Sequence, residues 1–150
     1  MKRFQFTLQP LLNYKHTIER MQKVELRNAQ QTLQMLLDEE QRLIEAYAEN
    51  ERSLERALQS NIDVAAALGE HDAYFRFLRE ALKALKVKII SAEKVVSECQ
   101  ARLIITMREI KTYNKLKTEQ YQAYLKEAQS EEEKEMSDLV SFTTISEVEG

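Results

Sequence analysis

The chain has 150 residues, 31% of them charged, with 2 Gly, 1 Pro, no Trp and a formal net charge of -3. That usage is typical of long helices that share an apolar stripe, and it argues against a globule built around a central core. The single cysteine, Cys99, rules out a disulfide within one chain and fits a reducing cytoplasm.

Helix 1 is expected over about residues 8–60. Thr7 is a candidate N-cap, with Gln9 followed by Pro10 as the alternative; Pro10 falls in the first turn, where its missing N–H removes no helical bond. Phe6 is placed to close over Leu11 as a hydrophobic staple. A seam runs through Leu11, Tyr14, Ile18 and Met21. It resumes one residue out of phase as Leu26, Ala29, Leu33, Leu36, Leu43, Tyr47, Leu54 and Ala57, interrupted by Glu40 and Asn50. Such a slip locally relaxes a left-handed supercoil.

A turn is expected over about residues 61–72, where Gly69 can end a helix in the left-handed conformation and Asp72 can cap the next one. Residues 61–68 read equally as a short helix or as an extension of helix 1. Helix 2 is expected over about residues 73–130. With Phe75 at position a, the a sites are Phe75, Leu82, Ile89, Val96, Leu103 and Ile110, and the d sites are Leu78, Leu85, Ala92, Cys99, Thr106 and Tyr113. Only Thr106 is polar, so this is a coiled-coil seam and not an ordinary amphipathic helix. Residues 136–150 lack a period and read as a flexible tail after the hairpin of residues 1–135.

Charge alternates in blocks. Residues 1–30 carry +4, 38–55 carry -5, 76–117 carry +7 and 118–150 carry -7. Folding at the mid-chain turn sets opposite blocks side by side, whereas a parallel homodimer sets each block against its own copy. Single surface pairs contribute only about 0–1 kcal/mol, but orientation is decided by differences in which repulsions also count. The expected fold is therefore all-α: a monomeric, long antiparallel two-helix coiled-coil hairpin with a disordered C-terminal tail.

The same pattern bears on function. His16 and His71 are far apart in sequence, there is no glycine-rich phosphate loop and no Cys/His metal spacing, and carboxylate runs such as Asp38 to Glu40 read as solvated helix faces. No enzyme, cofactor or metal site is expected. The basic block of helix 2 is matched by acidic neighbours and lacks interleaved aromatics, which argues against nucleic acid. The longest apolar run, residues 64–68, is far short of the roughly 20 residues that span a bilayer, and the N-terminus reads as no secretory signal. A soluble intracellular protein is expected.

Apolar residues beside the seams are candidates for binding. Tyr74, Phe77, Ala81 and Ala84 form a second row, with Ile44 and Tyr47 nearby on helix 1. They either widen the buried stripe or form a partner patch. Phe4, Phe6, Leu8 and Leu12 are also more than a helix start requires.

Two phrases carry a resemblance. The opening Phe4 to Lys15, FQFTLQPLLNYK, and the stretch Tyr74 to Leu78, YFRFL, followed by Ala81 and Leu82, resemble the FliJ family of flagellar type III export proteins. The resemblance implies a non-enzymatic cytosolic component of the flagellar export apparatus, similar to the central stalk of rotary ATPases. It further implies binding and stimulation of the hexameric export ATPase, contact with the export gate protein, and escort of export chaperones. Location would be cytoplasmic, peripheral at the cytoplasmic face of the inner membrane through partners only. Carried onto this chain, the gate contact falls on Tyr74 and Phe77, with Ala81 and Tyr47 beside them, and the ATPase contact on Phe4, Phe6, Leu8 and Leu12. A structural coiled coil acting by self-association is the alternative.

Overall fold

A computed structural model describes residues 2–60 and 63–149, and contains two helices, α1 (Gln9–Gln59) and α2 (Val64–Glu149), with no strand among the described residues. The fold is an all-α helical hairpin in which the two helices pack against each other. The expected span of helix 1 agrees with α1 to within one residue at each end. Contacts divide the chain into two units, Met1–Glu19 with Ile105–Gly150, and Arg20–Ile104.

The predicted seam of α2 is where the burial lies. Leu78, Leu85, Ile89, Ala92, Cys99, Leu103 and Ile110 are buried, and Phe75, Leu82, Val96 and Tyr113 are partly so. Thr106, the one polar member, is buried with them. On α1 the seam from Leu26 to Ala57 also holds, and Asn50 is buried within it.

The first turns of α1 differ from expectation. Leu11, Tyr14 and Met21 are exposed and Ile18 alone of the expected row is partly covered, while Leu8, Leu12, Lys15, Glu19, Gln22 and Leu26 are covered or partly so. These continue the 4,3 spacing of the later seam without the slip expected after Met21. Polar residues occupy three consecutive seam sites, so an apolar pattern search moves one residue toward Tyr14 and Met21. Phe6 accordingly packs with Leu12 and Ile110, not over Leu11. Thr7 lies in a turn rather than capping. Gln9 N–H donates to Phe6 O at 3.0 Å and Leu12 N–H to Leu8 O at 2.9 Å.

The expected turn is also shorter than the sequence suggests. α1 ends where Ser60 N–H and Oγ both donate to Ala57 O, at 3.4 and 2.9 Å. Asn61 and Ile62, the first residues of the expected turn, lie outside the described residues. Asp63, not Asp72, caps α2: Ala66 N–H donates to its Oδ1 at 3.4 Å and Ala67 N–H to its carbonyl at 3.1 Å. Gly69 does not end a helix but lies inside α2, with nothing beyond its chain neighbours and the surrounding helix backbone within 4 Å of where a Cβ would stand. One interior glycine costs a helix only about 1 kcal/mol relative to alanine, a cost that good helix formers on either side, Ala65 to Leu68 and Glu70, keep from ending it. Asp72 instead accepts from Arg76 one turn on, at 3.4 Å.

Residues 136–149, expected to belong to a flexible tail, continue α2 together with 131–135 beyond the expected helix end, and every side chain over 131–149 is exposed. No Pro or Gly interrupts the stretch, and Thr143 and Thr144 return their hydroxyls to the carbonyls of Leu139 and Val140. The helix here rests on local hydrogen bonds, with no packing against α1.

Candidate functional site

Two surfaces gather the residues singled out from the sequence, and each lies within one unit. In unit Arg20–Ile104, the α2 backbone places Tyr74 and Phe77 three residues apart on one face, next to the seam residues Phe75 and Leu78. Their rings stack, with centroids 6.3 Å apart and planes inclined by 14°. Tyr74 is 43% exposed and Phe77 63% exposed, so much of each ring faces outward. Ala81 is partly buried one turn on. Tyr47 does not join this surface: its ring packs against Phe75 at 4.7 Å, half-buried between the helices. Ile44 is exposed on α1.

Beneath Tyr74 lies a small polar layer that sequence reasoning treated as an interruption. Asn50 Nδ2 donates to His71 O at 3.1 Å, His71 Nδ1 meets Ala67 O at 2.7 Å, and His71 Nε2 meets Ser53 Oγ at 3.3 Å. Burying Asn50 is tolerable because its amide is hydrogen-bonded. Asn50, Glu70, His71 and Tyr74 line a shallow hollow of about 210 Å³. The layer ties α2 to α1 under the aromatic pair, while Tyr74 and Phe77 stay on the surface.

In unit Met1–Glu19 with Ile105–Gly150, the four residues assigned to ATPase contact divide by burial. Phe6 and Leu12 are core, packed with Ile110. Phe4 and Leu8 are partly buried and pack against that core with Tyr113 and Leu116. Phe4 meets Tyr121 edge-on at 5.2 Å and Tyr124 at 5.5 Å, and Tyr124 Oη donates to Lys2 O at 2.9 Å. Neither tyrosine stood out from the sequence, because each lies past the fading of the α2 seam. Their signal was the aromatic content of the segment that the hairpin sets opposite Phe4.

An open depression of about 820 Å³ beside this cluster is lined by Lys2, Arg3, Phe4, Gln5, Thr7, Tyr124, Glu127 and Glu131. It brings cations of the N-terminus and carboxylates of α2 to one surface, as the alternating charge blocks imply. Farther along, Lys117 Nζ donates to Gln9 Oε1 at 2.7 Å. Lys15 meets Glu109 at 2.5 Å, and the hydrogen bond to Glu109 holds the ammonium above its ordinary value. In the other unit Glu49 is held below the usual carboxylate range by hydrogen bonds from Arg56 and then Arg52 on its own helix. Gln22 Oε1 is buried in the seam without a hydrogen-bond partner.

Among the described residues no cluster of His, Cys, Asp and Glu could hold a metal ion, and no helix is long and apolar enough to cross a membrane. Cys99 is buried on the seam, where Arg102 Nη2 donates to its Sγ at 3.3 Å. What these surfaces can do chemically is bind: one offers stacked aromatics, the other a charged rim around an aromatic cluster. A family model described as flagellar FliJ protein matches residues 4–148. No curated protein and no solved structure matches the chain.

Proposed function

The chain belongs to the FliJ family, which makes it a flagellar, export-related protein, and we propose that it works there as a non-catalytic link between the export ATPase, the export gate and export chaperones. The observation that carries this reading is the stacked, outward Tyr74 and Phe77 pair. Two aromatic rings that pack on each other beside an already filled seam contribute little to the hairpin, and aromatic anchors of this kind dominate binding energies. This pair would contact the cytoplasmic domain of the gate protein. Ala81 adds a flat neighbour, and Tyr47 acts indirectly by holding Phe75 in place.

The ATPase contact would use the unit that contains both chain termini. Phe6 and Leu12 shape the local fold, and the contact itself falls on Phe4, Leu8 and the charged rim of Lys2, Arg3, Glu127 and Glu131. An asymmetric distribution of charge presented to equivalent ATPase subunits would bias them differently, which is how a chain without chemistry of its own can alter hydrolysis. Its position would be cytoplasmic, at the inner face of the membrane, and held there by these partners.

The test is a pull-down with the export ATPase and the gate's cytoplasmic domain, paired with ATPase assays. Phe77→Ala should weaken gate capture at unchanged helicity and leave ATPase stimulation intact. Equal loss of helicity would reduce Phe77 to a folding residue. No change in hydrolysis or ring formation at saturating protein would reject the ATPase role.

A further inference from the structure

The face of α2 directed away from the seam carries a second heptad row. Lys83, Val87, Ile90, Lys94, Ser97, Ala101 and Ile104 recur at 4,3 spacing, and all are exposed. Val87 and Ile90 are 65% and 61% exposed, well above what a solvated helix face requires of β-branched residues. Lys86 flanks them, and Lys83, Lys86 and Lys94 enter no ion pair among the described residues. A narrow row of small and branched apolar residues with cations at its edges is the shape of a coiled-coil seam lacking its partner helix, and its charge selects an acidic one.

One acidic helix of matching size is present in the chain itself. Residues 131–149 carry seven Asp/Glu and one Lys. They are helical with every side chain exposed, and present Met136, Leu139, Val140 and Thr143 along one stripe led by Glu132. At about 1.5 Å per residue the row over 83–104 and the segment over 131–149 are each about 30 Å long. Both apolar stripes are too polar overall to be buried alone, and each has the sign of charge that the other lacks.

We infer that residues 131–149 of one copy dock on the Lys83, Val87, Ile90 and Lys94 face of a second copy, so that the protein self-associates through a salt-sensitive helix-on-helix contact. The inference does not depend on the family assignment. Because every copy carries both halves, two copies can exchange contacts reciprocally and close as a dimer, whereas one-way contacts continue into larger assemblies. The contact competes with any partner that uses either face, so association and partner binding would exclude one another.

Sedimentation velocity of the full chain over about 1 to 100 µM tests this, since modest interfaces fall in that range. The expected result is concentration-dependent association, weakened about tenfold or more on moving from about 0.05 M to 0.5 M salt. Two triple variants sharpen it: Lys83→Glu/Lys86→Glu/Lys94→Glu and Glu131→Lys/Glu132→Lys/Glu135→Lys. All six side chains are exposed, so circular dichroism should show the fold unchanged. Each variant alone should remain monomeric, because the first sets an acidic row against an acidic segment, and the second sets the basic row against a segment whose net charge has fallen from -6 to 0. An equimolar mixture should associate again, through the unaltered segment of the first variant on the unaltered row of the second, with the charge-reversed pair as the return contact. A chain that stays monomeric throughout, or one whose association ignores either triple substitution, overturns the inference. So does a monomer that binds phosphatidylglycerol vesicles through the same lysines, which would assign the face to an anionic membrane.

Discussion

Leu11 and Leu12 are adjacent leucines whose truncation should have unequal consequences, and the difference measures the register of α1. Leu12 is 2% exposed in the cluster with Phe6 and Ile110, whereas Leu11 is 37% exposed. Truncating a fully covered leucine loses about 1.5–3 kcal/mol of transfer free energy and leaves a cavity whose lining loses contacts, which brings Leu→Ala changes to about 2–5 kcal/mol. A two-helix layer can collapse partly around the hole, so Leu12→Ala should cost about 3 kcal/mol. Leu11→Ala removes a side chain already open to water on one side and leaves no closed cavity, so about 1 kcal/mol is expected. The gap of about 2 kcal/mol is roughly 30-fold in the folding constant at 1.4 kcal/mol per decade. Guanidinium denaturation followed by circular dichroism would measure it, with hydrogen exchange in the first turns of α1 locating the effect. Equal losses, or a larger loss at Leu11, would place the seam on Leu11 and Tyr14 and refute the continuous 4,3 register described here.

Three further outcomes are expected. Gln22→Leu should raise stability by about 1 kcal/mol, since it removes a buried carbonyl oxygen without a hydrogen-bond partner from a seam site; a fall in the denaturation midpoint would show that the amide is satisfied in solution. Asp63→Ala should cost α2 about 1 kcal/mol and speed amide exchange at Ala66 and Ala67, with no effect at Asp72→Ala beyond a weak surface pair. Lys15 has a raised value, so its contribution is complete below 10.5 and is lost as pH climbs through the folded value. Glu49 has a lowered value, so its contribution is present above 4.5 and is lost as pH falls through the folded value. Melting temperature should therefore have a small alkaline decline that Lys15→Gln abolishes and a small acidic one that Glu49→Gln abolishes, both modest because the groups are solvated.

How far the sequence could be read depended on whether apolar residues held the structural sites. The α2 seam was legible because eleven of its twelve members are apolar or aromatic, a density that neither adjoining row matches over residues 75–113. The start of α1 was misread for the opposite reason: Lys15, Glu19 and Gln22 hold seam sites, while Tyr14 and Met21 face outward. The turn was displaced because Gly69 and Asp72 look like punctuation, although Asp63 supplies the cap and a glycine can be carried inside a long helix. Helix after residue 130 was missed because its stability is local and leaves no two-helix period. Tyr74 and Phe77 were legible as residues in excess of the seam. The partition of Phe4 and Leu8 from Phe6 and Leu12 was not, since it depends on Ile110 lying opposite and on the tyrosines that flank Phe4.

The lone thiol gives the hairpin a chemical clock. Cys99 sits on the covered seam with no second thiol in the chain to trap it, so alkylation requires the helices to part around that site. Its modification rate under native conditions therefore reports the free energy of local opening. A ligand that clamps the unit Arg20–Ile104 would slow the reaction, and one that pries its helices apart would hasten it. A single-label time course would then distinguish partners that ride on the hairpin from partners that remodel it, without a mutation or an added probe site.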